Sequence, residues 1–131
     1  MEELTEKRVW QRVRGESEIL DRVRQCLADQ GPLLNAYRGP ARRGGTWQRL
    51  YEGKLEQTAV LRGLLRVLTG QPAARPGGNP LPDLAACFDR ERRLLLELTE
   101  LSRNPDFGPI FAILLDRQKV ICRLALEQLG T

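Results

Sequence analysis

Residues 46–69 read TWQRLYEGKLEQTAVLRGLLRVLT, and Gly70 follows. On a wheel of about 100° per residue, Trp47, Leu50, Tyr51, Leu61, Leu64, Leu65 and Leu68 share one stripe, the pattern of an amphipathic helix. Thr46 is the candidate N-cap and Gly70 the candidate C-terminal stop. Lys54 and Gln57 interrupt the middle of this apolar stripe. The stripe must be covered by other helices, and polar groups under that cover need partners, because burying one unpaired is costly.

Three further segments carry the same period. Upstream, Ser17 is a candidate N-cap for a helix over about 17–41, with Ile19, Val23, Cys26, Leu27, Leu34 and Tyr37 on its stripe and Arg42-Arg43-Gly44-Gly45 as its stop. Gly31-Pro32 lies inside it. A proline there removes a backbone hydrogen bond and crowds the preceding turn, so a kink, bulge or break is expected. Before it, Leu4, Val9, Trp10 and Val13 mark a short accessory helix over 4–13, ended by Gly15. Downstream, Pro82 and Asp83 open a third helix over 82–103, carrying Leu84, Cys87, Phe88, Leu94, Leu95 and Leu98 on one face. Asp106 caps a fourth over 106–129, with Pro109 in its tolerant first turn and Phe107, Ile110, Phe111, Leu114, Ile121, Cys122, Ala125 and Leu129 facing inward. Strand-like alternation is not found. The fold class is therefore all-α, a four-helix bundle plus a short N-terminal helix, in a single domain over 1–131.

The proline- and glycine-rich stretch 71–81 is a linker inside that domain, since neither flank can bury its own face alone. The other two connections are short, which makes the helices they join antiparallel neighbours. Helices of roughly 24 residues are about 36 Å long, and an extended linker of that length spans about the same distance. It can just cross the bundle end to end, which permits an up-down-down-up order with helices two and three parallel. A simple up-down-up-down order also stays open.

Composition bounds the function classes. The net charge of +4 comes from 21 basic and 17 acidic residues, and the arginines are scattered among glutamates, the pattern of a solvated helical surface rather than a phosphate-binding stripe. Arg8, Arg12, Arg22, Arg24, Arg38, Arg42, Arg43 and Arg49 share no contiguous face, so nucleic acid is not the expected partner. Three cysteines without C-x-x-C spacing argue against a disulfide framework or zinc knuckle, leaving buried thiols as core filler. The N-terminus lacks a hydrophobic signal segment and no apolar run is long enough for a membrane, so a soluble cytoplasmic protein is expected.

Each helix places polar character near the centre of its stripe: Gln30 on the first, Lys54 and Gln57 on the second, Glu91 on the third and Gln118 on the fourth. Four such interruptions at one level are expected to meet in a central polar layer. This pattern resembles the ferritin-like di-iron carboxylate bundles of the rubrerythrin type, which carry an inward Glu on the first and third helices and Glu-x-x-His on the second and fourth. In that resemblance Gln30 takes the place of the first Glu and Lys54-Leu-Glu-Gln57 that of the first Glu-x-x-His. Glu91 keeps the third-helix Glu, and Gln118-Lys-Val-Ile121 replaces the second Glu-x-x-His. Of six ligand positions only Glu91 is retained, and the chain contains no histidine. Amides, an aliphatic and an ammonium cannot supply the anionic and imidazole donors of a di-metal centre. The resemblance therefore implies a degenerate bundle with no metal, no cofactor and no catalytic residues.

The expected function is a structural or protein-interaction role, with a second copy of the chain as one partner and an unidentified protein as another. Off-stripe Val60 and Val67, with Val9 and Trp10, motivate the dimer. Two alternatives are an enzyme or small-molecule binder that reuses the pocket around Lys54 and Glu91, and a weak nucleic-acid binder. In the first, a desolvated Lys54 acts as nucleophile or base beside Glu91. For the main reading, the expectation is that in the up-down-down-up order Lys54 and Glu91, at mid-height on the adjacent parallel helices two and three, form a buried ion pair flanked by Gln30, Gln57 or Gln118.

Overall fold

A computed structural model describes the backbone of residues 2–131 and the side chains of residues 17–131. Four helices form it: α1 (Glu2–Ala41), α2 (Gly45–Thr69), α3 (Leu84–Leu101) and α4 (Gly108–Leu129). Among the described residues there is no strand, and no helix is long and apolar enough to cross a membrane. The side chains of the expected N-terminal segment over 4–13, with Val9 and Trp10, lie outside the described residues.

Local chemistry sets the boundaries, with four corrections to expectation. Ser17 caps nothing, because it lies inside α1. Thr46 is not a cap either; α2 begins one residue earlier, after Gly44, with no side-chain cap. The turn instead relies on left-handed backbone at Gly44 and Gly45, φ 76° and 64°, where a side chain would be strained. Asp83 rather than Pro82 opens α3, its carboxylate accepting from Ala86 N at 2.8 Å. In the last connection Asn104 takes the role expected of Asp106: its Oδ1 accepts from the backbone N–H groups of Asp106 and Phe107, both at 2.9 Å. At Gly70 the chain stops α2 as expected, in a left-handed conformation with its N–H on Arg66 O.

α1 remains helical through Gly31-Pro32, where a defect was expected. The missing proline N–H leaves the Ala28 carbonyl without its helical donor, at an exposed residue rather than in the core. The Gly-Pro pair matches the path of the linker, residues 70–83, which crosses α1 at this point. Leu81 N donates to Pro32 O at 3.4 Å, and Asn35 Nδ2 donates to Gly78 O at 2.6 Å. Gly31 is required by the approach itself: a Cβ there would lie 1.9 Å from Gly77 O.

The bundle core is one apolar cluster drawn from all four helices, including Val23, Tyr37, Leu50, Leu61, Leu94, Phe111 and Leu114. Leu33, Leu101 and Leu124 are buried without having been placed on the expected stripes, whereas Ile110 and Leu129 are exposed. Helix α1 borders α2 and α3, and α4 borders α3 and α2. Helices α2 and α3 are thus diagonal, not the adjacent pair expected from sequence. Cross-links give the levels: Arg22 binds Glu97 and Glu100, Arg90 binds Asp29, and Arg117 binds Glu56.

Two glycine substitutions test the linker crossing. Gly31→Ala should lower stability by about 1–3 kcal/mol in urea unfolding, since the methyl meets backbone that cannot move cheaply. Gly63→Ala, in α2 with nothing within 4 Å of a built Cβ, should raise stability by up to about 1 kcal/mol through helix propensity. Equal responses at both sites would mean that the linker does not rest on Gly31.

Candidate functional site

The centre of the bundle holds a polar network in which every helix takes part. Lys54 and Glu91 lie on diagonal helices and meet across the axis, Lys54 Nζ donating to Glu91 Oε1 at 2.6 Å, with both side chains 0% exposed. From α4, Gln118 Nε2 donates to the Glu91 backbone O at 2.8 Å and to Oε1 at 3.1 Å. The Gln118 Oε1 accepts from Lys54 Nζ at 3.2 Å and from Gln57 Nε2 at 2.9 Å. From α1, the Tyr37 hydroxyl donates to Glu91 Oε2 at 3.0 Å. The carboxylate thus receives three side-chain donors from three helices. The ammonium and the carboxylate cancel in charge, which is the condition for keeping either inside.

The residues singled out from the sequence divide into three groups. Lys54, Glu91, Gln118 and Gln57 come together. Gln30 is buried but bonds to none of them, and its Oε1 finds no partner among the described residues; the Oε1 of Gln57 is likewise unpartnered. Ile121 is buried and packs beside Gly53, where an added Cβ would be 3.2 Å from two of its side-chain carbons. It closes the layer on the α2–α4 side. Tyr37, read from sequence only as part of the apolar stripe, is the α1 member of the network. Its signal was present: a tyrosine buried on a core stripe needs a partner for its hydroxyl.

Burial, reinforced by the adjacent Glu91, pushes the Tyr37 phenol well above its usual range, so the hydroxyl stays protonated and acts as a donor. Burial likewise raises the thiols, to about 12 for Cys26 and about 11 for Cys87 and Cys122, with Glu91 adding to the shift at the last two. Cys122 Sγ lies 3.5 Å from the Glu91 backbone O. Thiols held in this way are poor nucleophiles near neutral pH. Among the described residues, no group of three or more His, Cys, Asp or Glu side chains is arranged to hold a metal ion. The donor set does not fit a di-metal centre: its one carboxylate is engaged by an ammonium, and the remaining groups are amides and a phenol. Family models, curated proteins and solved structures were compared with the chain, and none matches.

Lys54→Met or Glu91→Leu alone should cost about 3–5 kcal/mol, by stranding the opposite charge, while the double variant should cost much less than the sum. Tyr37→Phe should cost about 1–3 kcal/mol, since Glu91 Oε2 loses its donor. Urea unfolding of the four variants measures each; additive single costs would mean that the pair does not share one buried site.

The thiols give a pH signature. Their folded pKa values lie above the ordinary value of 9.0, so above that pH the unfolded chain releases protons that the folded chain keeps. Their contribution is complete below pH 9 and is lost as the pH rises toward 11 and 12. The urea midpoint should therefore fall on that alkaline limb, and the fall should be shallower when Cys26, Cys87 and Cys122 are all alanine.

Proposed function

We propose that the chain is a degenerate, metal-free member of the ferritin-like four-helix bundles, serving a structural or protein-interaction role in the cytoplasm. The observation that carries this reading is the 2.6 Å contact of Lys54 Nζ with Glu91 Oε1 at zero exposure. An ammonium occupies the position from which a metal would have to compensate the one retained carboxylate, and a second cation beside it would be repelled. The neighbour order of the helices supports an up-down-down-up bundle with the 70–83 linker as its long crossing. The levels of the Arg22, Arg90 and Arg117 ion pairs support the same order.

The interaction role draws on the surface. Val67 on α2 is 81% exposed and Ile113 on the bordering α4 is 57% exposed, with Val120 and Ile110 on the same face of α4. An apolar strip on one side of a small bundle favours a second copy of the chain as its cover. Val60, the other residue expected at such a face, is half-buried against the core. Reuse of the central layer as an active site gains no support, because Lys54 and Glu91 have no surface that a substrate can touch. For a continuous cationic face for nucleic acid, six arginines are already compensated: Arg22, Arg24, Arg90, Arg92, Arg93 and Arg117 are each paired with a carboxylate, whereas Arg38, Arg42, Arg43 and Arg49 form no ion pair among the described residues.

Protein purified from cells supplied with iron, manganese and zinc should carry far less than one metal per chain by elemental analysis. Light scattering at high micromolar concentration should give twice the chain mass, reduced to one by Val67→Lys with Ile113→Lys. A full equivalent of metal retained through chelator treatment would overturn the metal-free reading, and a monomer at that concentration would remove the homodimer.

A further inference from the structure

The linker does more than connect α2 to α3. Arg62 Nε donates to Ala73 O at 3.0 Å, and Asn35 Nδ2 donates to Gly78 O at 2.6 Å. These two clamps hold the segment 74–77 between them, and its Arg75 and Pro76 line the groove between α1 and α2. The result is a recess of about 440 Å³, within the size range of small-molecule sites. Three arginines from three different elements line it: Arg38 of α1, Arg62 of α2 and Arg75 of the linker. No carboxylate lines it. Among the described residues none of the three arginines forms an ion pair, unlike Arg22, Arg90, Arg93 and Arg117. The Arg62 guanidinium uses Nε on the linker and keeps its other nitrogens free. Apolar surface completes the walls, from Leu34, Tyr51 and Leu55, the last 44% exposed.

Three like charges along a concave, partly apolar wall with no carboxylate among its lining residues raise a positive potential in the recess. An anion of high charge density compensates that potential. A single carboxylate carries one negative charge, whereas a phosphate monoester carries nearly two at neutral pH on oxygens that match the guanidinium fork. We propose that this recess binds a small organic phosphate, its phosphoryl group held by Arg38, Arg62 and Arg75 and its apolar body seated on Tyr51 and Leu55. The site is separate from the central layer. A neighbouring, shallower recess shares Arg38, Tyr51 and Leu55 and adds Arg42, Gln48 and Glu52; Glu52 is the one acid along the groove, and it accepts from Gln48.

This grouping is not legible in the sequence, since the three arginines are far apart along the chain and only the clamped linker brings Arg75 over the helices. The probe is phenyl phosphate, followed by titration calorimetry or amide chemical shifts at low ionic strength. Saturable binding in the millimolar range or tighter is expected, with phenol and inorganic phosphate each at least about tenfold weaker, because each supplies half of the recognition. Arg38→Gln and Arg75→Gln should each weaken phenyl phosphate by about tenfold or more, while Arg123→Gln, exposed on a helix that does not line the recess, should leave it unchanged. Benzoate binding as tightly as phenyl phosphate would overturn the phosphate assignment. No saturation with phenyl phosphate, or equal loss in the Arg123 variant, would overturn the site. Metal content and oligomeric state are read separately, so failure here leaves the metal-free bundle standing.

Discussion

A carboxylate at the centre of a four-helix bundle must be compensated or it cannot stay there, and Glu91 is placed where no solvent can do it. The cost of moving an ion of that size out of water exceeds the apolar burial of any one side chain by severalfold. What surrounds Glu91 follows from that constraint: an ammonium from the opposite helix at 2.6 Å, a phenol from α1 and an amide from α4. The amide of Gln118 is the joint of the network. Its nitrogen serves Glu91 and its oxygen serves Lys54 and Gln57, so one side chain satisfies donors and acceptors from two helices at once.

The same reasoning explains the lysine's length. Helices α2 and α3 stand on the diagonal, where side chains of average size would not meet. Lys54 spans the axis on its four-carbon stem, which is buried among apolar side chains while its head reaches the carboxylate. The two acceptors left over, on Gln30 and Gln57, lie on the bordering helices α1 and α2.

Much of the architecture was legible in the sequence because helix period and stop signals act locally. The stripes, the Gly70 stop, the linker and the polar centres of α2, α3 and α4 can all be read within windows of a few turns. What was not legible depends on partners distant in sequence. Pro32 looked like a defect until the linker was seen to cross it and to bond its carbonyl. Lys54 and Glu91 could be matched in height, but the choice between adjacent and diagonal helices rests on contacts that α1 and α4 make with both. Gln30 was favoured over Tyr37 because polarity marks a candidate more visibly than a hydroxyl at the tip of an aromatic ring. The caps misread, Ser17, Thr46 and Asp106, are all residues of the right type one or more positions from where the backbone turned.

Replacing the whole layer by apolar residues would remove its desolvation cost, so its energetic merit alone does not account for the network. What it adds is uniqueness of arrangement. An apolar stripe tolerates a slide of one helix by a turn, because leucines pack against leucines at many registers. Glu91 cannot slide, since its two oxygens need Lys54, Gln118 and Tyr37 together, and a shift of one turn, about 5.4 Å, would leave each of them unpaired. The layer therefore ties α1, α2 and α4 to one height on α3. That fixed height also sets the outer surface. The linker crosses α1 at Gly31 and Pro32, within two turns of Tyr37, and its clamps on Asn35 and Arg62 can hold Arg75 in place only while α1 and α2 keep their register. The buried core thus determines the geometry of a recess that three cations from separate elements line.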